Sequence, residues 1–290
     1  MKFCPPAVPF LGASNEILAG APVLLGIPYE GTACFRKGAA SGPDAIRQVS
    51  DGLESYSPVL DRDLQSSPFT DLGNLVLDGG HPEAIAAQVR DACGHLFSQQ
   101  TTPVLLGGEH SFTPGAVGAA LQVRPGLAVL QLDAHADLRE EWTGTRWSHA
   151  CAMRRVLELI PREKLLQCGI RSGTAEEFKE LRGSECLVSP EAAGLRQALT
   201  SLGMAPLYLT LDLDLFDPAV LPGTGTPEPG GIDWSTFVEL MQVIPWERVV
   251  ACDIVELAPT LDPTGCSSLL AAKVVREILL SLVQTGPTND

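Results

Sequence analysis

Six short, predominantly apolar runs, at residues 23–27, 104–107, 127–132, 166–170, 207–213 and 248–255, alternate with longer stretches of helical periodicity. Runs of this length without polar alternation suit strands buried on both faces, the kind found in parallel sheets. The helical patterns fall near 43–50, 82–99, 113–123, 149–160, 175–181, 190–202 and 234–243, and a last one near 267–283 closes the chain. Strand followed by helix, over and over, predicts an α/β fold: a mostly parallel central sheet with helices on both faces, three layers in all. No repeat or linker-like tract divides the 290 residues, so 1–290 read as a single domain. The Pro/Gly-rich stretch 222–231 follows a strand end and is expected to be a functional loop. The polar tail 285–290 is expected to fray.

Ligands of open α/β sheets bind beyond the carboxyl ends of the strands. Three of the predicted strand ends change there from apolar residues to acids and histidine. They are Leu106-Gly107-Gly108-Glu109-His110-Ser111, Leu132-Asp133-Ala134-His135-Ala136-Asp137 and Leu211-Asp212-Leu213-Asp214-Leu215-Phe216-Asp217-Pro218. Residues two apart on a strand point to the same side. Asp133 and His135 therefore point together while the chain stays extended, Asp137 can join them, and Asp212 pairs with Asp214. If the three ends meet at one sheet edge, Asp133, Asp137, Asp212 and Asp214 converge with His110 and His135. Like charges so close are unfavourable unless neutralised, and two divalent cations would balance four carboxylates. Mixed imidazole and carboxylate donors suit Mn, Fe, Ni or Zn better than Ca or Mg. Either Asp-x-Asp or Asp-x-His-x-Asp by itself also fits a solvated loop; the three ends together favour metal. Gly107-Gly108 suggests a backbone held close to something, such as a metal centre.

Charge narrows the partners. With 20 basic and 35 acidic residues the formal net charge is −15, which argues against binding a nucleic-acid backbone and suits attraction of small cations. No stretch approaches the roughly 18 apolar residues of a membrane span, and residues 1–13 lack the apolar core of a signal peptide. The eight cysteines form no CxxC pair and read as reduced core thiols. A cytoplasmic protein without nucleic-acid or membrane partners is expected.

The same three segments resemble motifs of the ureohydrolase family, the arginases and agmatinases: Gly-Gly-acid-His-Ser at 107–111, Asp-Ala-His-x-Asp at 133–137 and Asp-x-Asp-x-x-Asp-Pro at 212–218. The similarity runs through nearly the whole chain from Gly26-Ile27-Pro28 onward. It implies an arginase-like fold, release of urea from a guanidino compound, and two Mn(2+) per subunit, with Ni, Co or Fe as alternatives. By the resemblance Asp133 and Asp212 would bridge the metals, His110 and Asp137 would complete one site, and His135 and Asp214 the other. A water held between the metals would lose a proton near neutral pH and act as nucleophile, with Asp137 accepting a hydrogen bond from it. Glu256, in Asp253-Ile254-Val255-Glu256, resembles the family glutamate that pairs with the guanidinium. His149, in Trp147-Ser148-His149-Ala150-Cys151, resembles the proton-shuttling histidine. Thr226, in Gly223-Thr224-Gly225-Thr226-Pro227, would set its hydroxyl or carbonyl near the reacting centre. Asp217 either orients its neighbours or is a turn residue before Pro218. Arg36 and Gly42-Pro43 read as structural, and His81 and His95 take no role.

Within the family the sequence is closer to agmatinases. Arginases typically place Asn after the Asp-Ala-His-x-Asp motif, where this chain has Leu138-Arg139. The segments 148–151, 169–174 and 226–231 look agmatinase-like. Agmatine is a dication that suits the acidic balance, and its products, putrescine and urea, belong to polyamine biosynthesis. Arg139 and the loop 138–147, with Glu140, Glu141, Trp142 and Trp147, keep N1-aminopropylagmatine, 4-guanidinobutyrate and arginine open as substrates. A catalytically silent metal-binding scaffold is the alternative of another class. The assembly of relatives as trimers or hexamers implies a homotrimer or homohexamer.

Overall fold

A computed structural model of the chain describes residues 1–283; the tail 285–290 lies outside the described residues. The strands are β1 (Phe3–Cys4), β2 (Pro22–Ile27), β3 (Tyr56–Ser57), β4 (Arg62–Asp63), β5 (Thr70–Leu75), β6 (Thr102–Gly107), β7 (Ala128–Leu132), β8 (Leu165–Cys168), β9 (Leu187–Val188), β10 (Leu207–Asp212) and β11 (Val249–Val255). Among the described residues nine of them form one sheet in the order β1-β5-β2-β6-β11-β10-β7-β8-β9, and β3 pairs with β4 in a separate hairpin. Within the large sheet only the β1–β5 pairing is antiparallel.

The alternation of buried side chains along each strand builds two cores. Leu24, Val104, Leu106, Leu130, Leu209 and Leu211 face one core, which holds residues of α1 (Gly42–Ser50), α6 (Ala192–Ser201), α7 (Trp234–Met241) and α8 (Cys266–Leu282). Leu25, Leu105, Val129 and Tyr208 face the other, with α2 (Pro82–Ser98), α3 (Thr113–Val123), α4 (Ala152–Val156) and α5 (Ala175–Arg182). The fold is therefore the expected three-layer αβα arrangement with a mostly parallel sheet buried on both sides.

Strand order sets the place of the site. The chain runs from β6 to β7, yet β11 and β10 lie between them. Register aligns their ends: Leu132 pairs with Leu211, Leu211 with Ile254, and Ile254 with Leu106. The carboxyl ends of four adjacent parallel strands thus finish level with one another. Their order switches there, as at the crevice of other doubly wound sheets.

Three local departures from the sequence reading have physical causes. β5 lacks an apolar run because it carries Asp71 and Asn74, and buried Arg47 of α1 meets them, Nε and Nη2 reaching Asp71 at 2.9 and 3.0 Å and Nη1 reaching Asn74 at 2.8 Å. The helix expected over 149–160 shrinks to a 3-10 turn (His149–Cys151) and α4. There the N–H of Arg154 donates to the carbonyl of Asp137, while the carbonyl of Ala150 accepts from the N–H of Arg139. The helical ladder is diverted onto the loop after β7. β8 stops at Cys168, because Gly169 turns with φ 92°.

Candidate active site

Each strand end hands over its polar residues through a tight turn. His110 starts a 3-10 turn (His110–Phe112) after β6, Asp133 follows the last residue of β7, and Asp212 ends β10 with Asp214 in the 3-10 turn Leu213–Leu215. The extended geometry expected for the two Asp-x-His and Asp-x-Asp pairs is absent. The carboxylate of Asp133 instead accepts the N–H of His135 at 2.6 Å, and that of Asp212 accepts the N–H of Asp214 at 2.9 Å. Both motifs are the same device, an aspartate bonded to its own backbone two residues on. Asp137 folds back with φ 52° and Glu256 with φ 68°, a left-handed backbone that few non-glycine residues adopt. Gly108 is held close to a neighbour, as expected, and that neighbour is backbone. A Cβ there would meet the carbonyl oxygen of Tyr29 at 2.0 Å, so the glycine lets the β2 and β6 ends touch.

These turns bring all six expected ligand residues together. Donor atoms of His110, Asp133 and Asp212 lie within 4.8 Å of one another, as do those of Asp133, His135 and Asp214. Asp133 belongs to both groups, whereas Asp212 belongs to the first. Asp137 joins through an oxygen 3.1 Å from His110 Nδ1, and Asp214 lies 2.8 Å from His135 Nδ1. Burial, followed by repulsion from Asp214, raises the Asp133 carboxyl to about 7; burial and the same neighbours push Asp212 well above the ordinary range. Burial would lower both histidines, yet the aspartates raise His110 well above its usual value and His135 to about 11. Burial would also raise Asp214, but His135 holds it low. The cluster is starved of positive charge.

The donor set fits divalent cations. His110 Nε2 sits 2.7 Å from Thr210 Oγ1, whose hydroxyl donates to Asp253 at 2.5 Å. With that proton committed, Nε2–H is the donor to Thr210, and Nδ1 is the ring nitrogen turned to the cluster. Nδ1 faces Asp133, Asp137 and Asp212 at 3.1 to 3.6 Å, yet it has no partner with hydrogen-bond geometry among the described residues. Facing three carboxylates, that nitrogen carries a proton when no cation is bound, as the raised His110 pKa requires, and offers its lone pair to a cation that lies between them. Gln131 Nε2, donating to Asp133 at 2.7 Å, orients that ligand from behind.

A cavity of about 230 Å³ opens over the cluster, lined among others by His110, His135, Asp137, Asp212, His149, Thr226 and Glu256. Glu256 Oε1 accepts the backbone N–H of His110 at 2.8 Å, and burial, then Glu109, raises its pKa well above normal. Burial lowers the pKa of His149 despite Asp137 and Glu109 nearby. The Thr226 hydroxyl donates to Asp214 at 3.5 Å. Asp217 touches none of these groups: its carboxylate accepts the N–H groups of Ala219, Gly230 and Gly231 and so fastens the loop carrying Thr226. Arg36 clamps the same loop through the carbonyls of Thr224 and Gly225. Arg139 also lines the cavity, its guanidinium 4.0 Å over the Trp142 ring. Sequence reading missed Gln131, Thr210, Asp253, Thr32 and Cys34. They lie inside strands or far along the chain, and only Asp253, an acid within an apolar run, gave a signal.

Comparison with known proteins agrees with this geometry. Residues 21–281 match the arginase family. The chain belongs to that family. The agmatinase of Halalkalibacterium halodurans is 37% identical over 278 residues, covering 94% of this chain and 96% of that protein. The N(1)-aminopropylagmatine ureohydrolase of Thermococcus kodakarensis is 38% identical over 264 residues, 87% of this chain and 88% of the relative. Among solved structures, the agmatine ureohydrolase of Thermoplasma volcanium superposes with a TM-score of 0.81 at 33% identity, covering 90% of this chain and 89% of the other. Arginase-family enzymes are dimetal hydrolases acting on C–N bonds, and this chain is a ureohydrolase with metal-capable His/Asp groups at the carboxyl edge of its sheet. No helix among the described residues is long and apolar enough to cross a membrane.

Proposed function

We propose that the protein is an agmatinase that hydrolyses agmatine to putrescine and urea, with His110, Asp133, His135, Asp137, Asp212 and Asp214 holding two divalent cations. The observation that carries this reading is the charge-starved cluster under a cavity lined by Glu256 and His149, in a chain similar to agmatinases over more than nine-tenths of its length. The bound cations would supply Lewis acidity and an activated water. The remaining work falls to the protein. Glu256 uses one oxygen for the His110 N–H and keeps the other for a guanidinium N–H. Its burial makes pairing with a cation favourable. Thr226 limits how that group turns. One water adds across the C–N bond: its oxygen stays on urea, and the amine departs as an ammonium. His149, at the cavity wall, takes up a proton on its ring and passes it to the departing amine. Manganese suits the mixed imidazole and carboxylate donors. We further propose a single domain, a cytoplasmic homotrimer or homohexamer, and a place in polyamine biosynthesis.

A second reading, a guanidino acid such as 4-guanidinobutyrate, draws on Arg139, which lines the cavity with no carboxylate partner among the described residues. Urea release by manganese-loaded protein, from agmatine, N1-aminopropylagmatine, 4-guanidinobutyrate and arginine, separates the two. Agmatine preferred at least about tenfold in kcat/KM supports the main reading. Preference for 4-guanidinobutyrate, lost in Arg139→Ala, replaces it with the second. Metal uptake without urea from any of them indicates a silent scaffold.

A further inference from the structure

Glu109 is fully buried, and no cation pairs with it among the described residues. Its Oε2 accepts the backbone N–H of Thr32 at 2.7 Å, and its Oε1 accepts the hydroxyls of Thr32 at 2.7 Å and Ser111 at 2.6 Å. A buried acid without a counterion is costly, and the donors it gathers sit directly behind the cavity: Thr32 contacts His149, and Ser111 follows His110 in the chain. Thr32 is the informative one. A hydroxyl has one proton, and that of Thr32 goes to Glu109. The lone pairs of Thr32 Oγ1 then face His149, with the backbone N–H at 3.1 Å and ring Nδ1 at 3.0 Å. An oxygen with no proton left to give can only accept, so Nδ1 must carry the ring hydrogen. Ser148 Oγ lies farther from Nδ1, at 3.3 Å. On the other side of the ring, Cys34 Sγ approaches Nε2 at 3.5 Å, a contact that suits a weak S–H donor and an unprotonated nitrogen.

We infer that Glu109 and Thr32 form a positioning pair that fixes the orientation of His149 and its Nδ1–H tautomer, leaving Nε2 as the atom that exchanges protons in the cavity. Neither residue touches the reacting atoms; both act through the imidazole. The role rests on the reading of His149 as the group that protonates the departing amine. The pair performs for this histidine what a buried acid does for any catalytic imidazole, but it does so through a hydroxyl that lies 77 residues from the acid and 117 from the histidine.

The test combines a spectrum with kinetics. Long-range proton–nitrogen correlation of ring-labelled histidine, in metal-free protein at a pH where His149 is neutral, reads the tautomer directly, with His149→Asn assigning the signal. Nδ1–H in the wild type is expected, and Nε2–H would overturn the inference, since Ser148 or Thr32 would then be the donor. In manganese-loaded protein, Thr32→Val is expected to lower kcat about tenfold or more with KM and metal content little changed. Thr32→Ser, which restores the hydroxyl, should recover kcat to within about threefold of wild type. A Thr32→Val enzyme with wild-type kcat, or a Thr32→Ser enzyme as slow as Thr32→Val, would also overturn it. Full activity of His149→Asn beside an Nδ1–H ring would remove the proton-transfer reading itself, and the positioning role with it. The spectrum tells that failure apart from a wrong tautomer.

Discussion

At the scale of single residues, the site separates groups that hold charge from those proposed to bind the guanidinium and move protons. His135 and Asp214 meet at 2.8 Å and each has few other partners. His135→Ala is expected to reduce metal content from two ions to one or fewer per chain by elemental analysis, and to abolish urea release; two tightly held ions in the variant would contradict the ligand assignment. Glu256 differs, because its carboxylate contacts a backbone N–H rather than the aspartates. Glu256→Gln keeps a carbonyl oxygen for that bond while losing the charge. It should retain two metals and lose about 100-fold or more in kcat/KM, and an active variant would place the guanidinium elsewhere. The candidate ligands were legible in the sequence because metal chemistry demands particular side chains at strand ends. Their geometry was not: two-residue alternation stood in for aspartate turns, since both bring residues i and i+2 together. Thr32 and Cys34 gave no signal, because a loop far along the chain reaches the site only through folding.

Among elements, helix α8 shows how scaffold and site are joined. Gly265, in the capping position just before it, provides no side-chain cap. Asp262 takes over: its carboxylate accepts the N–H and hydroxyl of Ser267 and the N–H and hydroxyl of Thr264. The Ser267 hydroxyl in turn accepts the N–H of Gly223 at 2.9 Å, at the head of the loop bearing Thr226. The hydrogen bonds from Ser267 and Thr264 lower the Asp262 pKa from 3.8 to about 2. A depressed folded-state pKa means that this stabilisation is present above pH 3.8 and is lost as pH falls through about 2. Asp262→Asn should therefore cost roughly 1 kcal/mol at neutral pH. Urea midpoints of wild type and variant should stay apart down to about pH 4 and converge toward pH 2. A gap that is constant over that range would refute the assignment. Of the seven described strands longer than two residues, six were readable because burial on both faces leaves an apolar run. β5 was not, since the Arg47–Asp71 pair hides polar residues inside the sheet, and β1, β9 and the β3–β4 hairpin are two residues each.

For the molecule as a whole, the net charge of −15 acts on the approach of substrate. Agmatine carries two positive charges, and 4-guanidinobutyrate none overall. Raising ionic strength from about 0.02 to 0.3 M should lower kcat/KM for agmatine several-fold and leave the zwitterion almost unchanged. Equal responses would show that the field of the protein does not reach the encounter. The order of the sheet has a consequence for synthesis. β10 and β11, which separate β6 from β7, lie in the last third of the chain. A nascent chain that ends at residue 200 would own both flanks of the sheet and none of its centre. The edges of β6 and β7 would wait unpaired, and the face that α7 and α8 cover would stay open until the final elements arrive. Chaperone contact should thus peak late in translation and end as the last ninety residues emerge, and a truncated product should aggregate rather than form a smaller working enzyme.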